Sequence, residues 1–217
     1  MTPAAPKTLV PLPANKGALT RQAILQEAMD LASVSGLEGL TIGSLAEATG
    51  LSKSGLFAHF GSKEELQLAT VQAARALFIE QVFAPALAAP RGLKRLCAAL
   101  VSWLNYAERE MFRGGCFFAA VSVEFDSRPG PVKDMVAACM GDWRASLARL
   151  VSEAKESGEL SRGADPDQLA FEFEALAIGA NGAFQLHRDH RSFTMARRAI
   201  KERLKTFATP GTRLPSL

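Results

Sequence analysis

The side chains that carry chemistry are scattered along this chain rather than clustered. Its three cysteines, Cys97, Cys116 and Cys139, stand far apart and form no CxxC pair. Its three histidines, His59, His187 and His190, fall in no metal-ligand spacing, so no metal is expected. His187 and His190 lie three apart, but Arg188 and Arg191 beside them mark a solvated basic helix end. There is no GxSxG elbow, no Walker loop and no paired carboxylates in a glycine-rich setting. Glu124 and Asp126 precede Ser127-Arg128-Pro129 and read as the start of a loop. Neither an enzyme nor a cofactor is expected. The cysteines read as buried small apolar residues in a reducing compartment. Cys116, after Gly114-Gly115, is the one candidate for a redox-sensing thiol.

What the chain does offer is a compact set of groups suited to a polyanion. Ser52, Lys53, Ser54 and Gly55 fall together within TIGSLAEATGLSKSGLFAHFGSKEEL, residues 41–66. Hydroxyls, backbone N–H groups and lysines donate to phosphate oxygens and base edges, which is the chemistry of a nucleic-acid reader. Bulk charge does not make this case. The formal net charge is +3, and residues 1–60 hold four Lys/Arg against four Asp/Glu. Residues 186–217 hold eight against two. The spacing of the motif must therefore carry the argument.

That spacing predicts two short helices around a tight turn. Thr41 caps the first, with Ile42, Leu45 and Ala46 on its apolar face, and Gly50 supplies the left-handed turn residue. Ser52 caps the second, which reaches about Ala58. Ahead of them, Ile24, Ala28, Leu31 and Ala32 share one face of a helix from Thr20 to about Gly36. Behind them, Ser62 and Glu65 form a capping-box pattern opening a long helix to about Phe83, where Pro85 and Pro90 mark a joint. This is a helix-turn-helix, whose second helix presents Ser52, Lys53, Ser54 and Gly55 at its positive N-terminal end.

The stretch resembles the tetracycline-repressor (TetR) family of transcriptional regulators over roughly residues 20–70, through Thr41, Leu45-Ala46, Gly50-Leu51-Ser52, Leu56-Phe57, His59-Phe60 and Lys63. The resemblance implies that Thr41, His59 and Lys63 bind phosphates. It places Ser52, Lys53, Ser54 and Gly55 at or near the bases. Phe57 stands where the family usually has tyrosine, so one phosphate-bonding hydroxyl is missing. Ser54 replaces a common glycine, and Gly55 sits inside the helix, where glycine costs about 1 kcal/mol relative to alanine. These departures bear on affinity and operator sequence, not on the fold.

The rest of the chain keeps helical periodicity, in segments 92–111, 117–125, 130–157, 165–187 and 193–208. The expected fold is all-α: a three-helix head and a larger helical bundle, about nine helices in all. The expected division is a disordered arm at 1–18, the head at 19–66, the body at 67–210 and a frayed tail at 211–217. No run of apolar residues is long enough for a membrane span and no signal peptide is evident, so a cytoplasmic protein is expected.

In the body, small residues such as Ala177, Ala180 and Gly182 would let helices approach closely. The resemblance implies that the last two helices build a homodimer through Leu169, Phe173, Leu176, Ala177, Ala180, Phe184, Ala196, Ile200 and Leu204. It also implies a small-molecule inducer. Trp103, Tyr106, Phe117, Phe118, Val121, Trp143, Leu147 and Phe173 could line an apolar pocket, with Asn105, Glu124, Asn181, Gln185 and His187 as candidate polar anchors. Asn181 is the anchor assigned to the site. Plain core packing competes at each of these positions. The segment GCFFAAVSVEFDSRPGPVKD, residues 115–134, is expected to border both pocket and dimer face. By analogy, a dimer would bind a palindromic double-stranded DNA operator and a ligand would tilt the long helix beginning at Ser62. The competing reading is a helical interaction module whose helix-turn-helix is not used.

Overall fold

The structure, a computed structural model, describes residues 16–217. Most of the expected arm therefore lies outside the described residues. The first helix, α1 (Lys16–Gly39), starts ahead of the expected Thr20. It breaks where the sequence placed its end: Gly36 leaves helical geometry at φ 74°, ψ 168°. A further short turn then follows. Ile24, Ala28 and Ala32 are buried on its inner face.

Helices α2 (Ile42–Thr49) and α3 (Lys53–Phe60) follow, joined through Gly50 in the left-handed region at φ 69°. Helix α4 (Lys63–Phe78) is capped by Ser62, whose hydroxyl accepts from the Glu65 N–H at 3.1 Å. This is only the forward half of the expected box; the Ser62 N–H turns to Phe60 O instead. The complete reciprocal box sits two helices earlier, between Thr41 and Ser44 at the start of α2.

Pro85 does not end the long helix. The chain passes through a π-helical stretch at Ile79–Phe83 and continues as α5 (Ala84–Ala88). The Ala84 N–H bonds Ile79 O, five residues back, immediately before the proline that has no N–H to donate. The helix thus absorbs Pro85 by changing register, and ends at Ala89, the residue before Pro90.

The body comprises α6 (Leu93–Glu108), α7 (Phe117–Phe125), α8 (Pro131–Glu156), α9 (Pro166–His187) and α10 (Arg191–Phe207). Taking α4, the π stretch and α5 as one rod, the described residues form nine helices and no strand. Asp165 caps α9 as its sequence implies, accepting from the N–H groups of Asp167 and Gln168. Helices α9 and α10 pack on each other and on α6, and α9 packs on α8 as well. No described helix is long and apolar enough to cross a membrane. The C-terminal segment is not frayed: Leu214 and Leu217 pack against the core, and the Thr209 hydroxyl donates to Gly158 O at 2.7 Å.

Candidate DNA interface and ligand cavity

In the head, Leu45, Leu56 and Phe60 are buried, and this fixes which side of α3 faces outward. Ser52, Lys53 and Ser54 are exposed at its N-terminus, with no acidic residue in the first turn. The Ser52 hydroxyl also caps α3, accepting from the Gly55 N–H at 3.1 Å. A Cβ on Gly55 would lie 3.2 Å from that hydroxyl, a local reason for glycine there. Phe57 is 50% exposed, so it belongs to the outer face rather than the core. Thr41 is likewise a cap, its hydroxyl accepting from the Ser44 N–H at 3.0 Å. His59 is half-buried, its ring centroid 6.2 Å from that of Phe60.

Lys63 is engaged within the chain, in a surface pair. Its Nζ lies 2.9 Å from both the backbone oxygen and Oε2 of Glu38. Lys63, with Gln67 second, holds the Glu38 carboxyl below its ordinary range.

Two clasps tie this head to the body. Glu124 on α7 accepts from Leu37 N–H at 2.7 Å and Glu38 N–H at 2.9 Å. These are free donors because Gly36 has broken α1 just before them. A Cβ on Gly36 would sit 2.5 Å from Glu124 Oε2, so both its φ and its space require glycine. Further along, the Arg113 N–H bonds Asp30 Oδ1 at 2.8 Å, and the Arg113 guanidinium pairs with the same carboxylate. The Gly114 N–H bonds Ser33 Oγ at 3.0 Å. The same loop reaches α9, where Asn181 Oδ1 accepts from the Cys116 N–H at 2.9 Å.

Three of the expected anchors are therefore occupied elsewhere. Glu124 and Asn181 hold backbone, and Asn105 accepts from Arg197 at 2.8 Å. None of the five anchor candidates lines the large cavity, and His187 is exposed.

That cavity, of 690 Å³, lies between α4 with its π extension, α6, α7 and α8, touching α9 at Ile178. Of the expected pocket residues, Trp103, Phe118 and Trp143 line it. Tyr106, Phe117, Val121, Leu147, Phe173 and Asn181 do not. They are core residues, all buried. Tyr106 packs edge-on against Phe78, with centroids 5.7 Å apart, and burial pushes its hydroxyl pKa up.

The sequence reading missed the contribution of α4. Phe78, Ile79 and Phe83 supply that wall, and Arg75 reaches it as well. Phe78 meets Trp143 edge-on at 5.0 Å and Trp103 at 6.3 Å. The spacing of Arg75, Phe78, Ile79 and Phe83 along one helical side was the available signal.

Cys116 and Cys139 also line the cavity. Burial raises the pKa of both thiols, and pushes that of Cys97 up to about 12. A sensing thiol needs the opposite shift, so nothing here supports a redox role for Cys116.

The expected dimer residues face inward. Leu169, Phe173, Ala177, Ala180, Phe184, Ala196, Ile200 and Leu204 are buried within the one chain, and Leu176 is half-buried. The outer side of the same helices carries Phe171, Leu186 and Met195, all well exposed, with Leu186 at 77%. Gly179 and Gly182 stand between them, and a Cβ on either would meet nothing. Helix α9 is apolar on two sides, and periodicity alone could not say which side turns outward.

Among the described residues, a small capped helix-turn-helix head clasped to a larger helical bundle that carries a cavity is the layout of a DNA-binding regulator with a ligand-binding domain. Comparison with known proteins agrees. Residues 24–70 match the tetR family of bacterial regulatory proteins, and residues 92–200 match the tetracyclin repressor-like C-terminal domain. The chain belongs to the TetR family of transcriptional regulators.

It is 26% identical over 184 residues to the transcriptional regulator AcuR of Cereibacter sphaeroides, covering 83% of this chain and 82% of that protein. It is 43% identical over 63 residues to the HTH-type transcriptional repressor AcnR of Corynebacterium efficiens, covering 29% of this chain and 34% of that one. A crystal structure of a TetR transcriptional regulator from Chloroflexus aurantiacus superposes with a TM-score of 0.82 at 28% identity, over 89% of this chain and 98% of that one.

Proposed function

We propose that this regulator is a cytoplasmic repressor, which binds a palindromic operator as a homodimer and leaves it when a small molecule occupies the α4–α8 cavity. The observation that carries this reading is the placement of α4. Its first residue, Lys63, bonds the head at Glu38, and its last, Phe78, lines the cavity. A ligand that displaces one end of this helix moves the other.

On this reading the α3 N-terminus enters the major groove. Ser52, Lys53, Ser54 and Gly55 face the bases, and Thr41 and His59 approach the phosphates. Lys63 reaches a phosphate only by leaving Glu38. Phe57 makes an apolar contact in place of a tyrosine hydroxyl. One head makes too few contacts for useful affinity, and two heads about 34–36 Å apart reach successive major grooves. The exposed outer side of α9 and α10, with Phe171, Leu186 and Met195, is the surface this dimer would bury. A ligand that favours the DNA-incompetent arrangement by about 1–3 kcal/mol lowers operator affinity about 5–150-fold.

The test is footprinting on the DNA upstream of the gene, with native mass spectrometry of the complex. Two protected half-sites with centres about 10 bp apart, or a multiple of that, and paired chains per site agree with the proposal. A single unpaired protected patch, or one chain per site, contradicts it.

A further inference from the structure

The charges lining the large cavity do not balance. Three ionised side chains reach it: Arg75 on α4, and Asp142 and Arg149 on α8. Arg75 and Asp142 neutralise each other, with Nη2 3.1 Å from Oδ2. Arg149 forms no ion pair among the described residues. It is held by a hydroxyl instead: Arg149 Nη2 donates to Ser146 Oγ at 3.0 Å, and Ser146 Oγ donates to Asp142 O at 2.7 Å. Ser146 is buried and lines the same cavity, whereas Arg149 is exposed, so its guanidinium stands at the solvent-facing side of the cavity, held by a group of no charge.

The remaining wall is apolar and largely aromatic, with Phe78, Phe83, Trp103, Phe118 and Trp143. Its 690 Å³ falls within the range of about 300–1,000 Å³ usual for small-molecule sites. A ligand that fills it must be mostly hydrophobic. Arg149 is exposed and hydrated, so a wholly neutral ligand would gain nothing from its charge, and a cationic one would be repelled. One uncompensated cation matches one negative charge; a phosphate dianion would call for a second. The planar guanidinium fork suits a carboxylate, whose two oxygens accept parallel N–H bonds.

We propose that the effector of this cavity is a hydrophobic monocarboxylic acid, whose aromatic or branched body lies among the rings while its carboxylate is taken by Arg149, positioned by Ser146. This rests on reading the cavity as the effector site.

The molecule supplies its own reporter. Both tryptophans of the chain, Trp103 and Trp143, line the cavity, so intrinsic fluorescence reads its occupancy. The full-length protein is titrated with 4-phenylbutyrate, with the neutral 4-phenylbutanamide and with the cationic 4-phenylbutylamine. The carboxylate is expected to bind about tenfold more tightly than the amide, as one charge-assisted hydrogen-bonded contact allows. The amine is expected to bind more weakly than either.

Arg149→Gln should bring the carboxylate to the level of the amide, with an unchanged circular dichroism spectrum and melting curve showing that the variant is folded. Raising the salt should weaken only the carboxylate. An amide that binds as tightly as the carboxylate, or an Arg149→Gln protein that keeps the preference, overturns the assignment while the effector cavity stands. No fluorescence response to any of the three overturns the cavity reading itself, and the assignment with it.

Discussion

Replacing Glu124 by alanine tests whether α7 carries the head. Glu124 accepts from two backbone N–H groups, Leu37 at 2.7 Å and Glu38 at 2.9 Å, just after the break at Gly36. In the alanine variant both donors lose a charged acceptor. A hydrogen bond to a charged group contributes about 1.5–3 kcal/mol. The Glu38 N–H is exposed and rehydrates, whereas Leu37 is fully buried. The second bond is therefore discounted, and the expected loss is about 2–3 kcal/mol. For a chain of this size that lowers Tm by roughly 4–12 °C. Glu124→Gln keeps an amide oxygen and should lose about half as much.

Thermal melting followed by circular dichroism reads the stability, and hydrogen exchange reads where it is lost. The Leu37 and Glu38 amides should exchange much faster, with α9 and α10 little changed. Operator affinity should fall as well, because α7 no longer holds the head in one orientation. A Glu124→Ala protein that melts within about 1 °C of the parent and keeps its Leu37 protection would refute the clasp.

Other outcomes follow from the same geometry. Leu186→Glu, on the exposed side of α9, should shift the protein from dimer to monomer in sedimentation while its helical content stays unchanged. Leu204→Ala, on the buried side of α10, should instead cost about 2–5 kcal/mol of stability. Phe57→Tyr restores the hydroxyl that the family usually presents. It should tighten operator binding a few-fold, by about 1 kcal/mol, in an anisotropy titration. The Glu38 carboxyl is held below its ordinary 4.5 by Lys63. A depressed carboxylate contributes stability above its unfolded pKa and loses it as pH falls through the folded one. Glu38→Gln should therefore lower Tm at neutral pH and flatten its decline below about pH 4.5, as seen in a pH series of melts.

The sequence made the local devices legible and left the long-range ones hidden. Thr41, Ser52, Ser62 and Asp165 were readable as caps, and each caps its helix, because capping depends on neighbours within three residues. The turn at Gly50 and the break at Gly36 were readable for the same reason. Pro85 misled, because a π-helical register change absorbs it and no local pattern announces one. The role of Glu124 was hidden because its partners lie 86 and 87 residues away.

The cavity was half legible. Trp103, Phe118 and Trp143 were singled out as large and apolar, yet Tyr106, Phe117 and Phe173 had equal claims and are core. The polar groups went unseen. Arg75, Asp142, Ser146 and Arg149 read as ordinary surface residues of amphipathic helices until α4 and α8 are laid side by side. Which side of α9 turns outward was not legible because both are apolar; its packing on α10 and α8 turns Phe173 in and leaves Leu186 out.

The most direct measurement is the salt dependence of binding to upstream DNA by the wild-type protein and by Lys53→Ala, read by fluorescence anisotropy beside a scrambled duplex. Lys53 is exposed at the head of α3 and forms no salt bridge among the described residues. The prediction is binding at least about 10³-fold tighter to the upstream duplex than to the scrambled one, falling steeply with salt. Lys53→Ala should weaken it and, if the lysine also neutralises a phosphate, reduce the log–log slope by about 1 per chain, with the dimer unchanged. Equal, weak binding to both duplexes at low salt, or a Lys53→Ala protein indistinguishable from wild type, would contradict a head that reads DNA through α3.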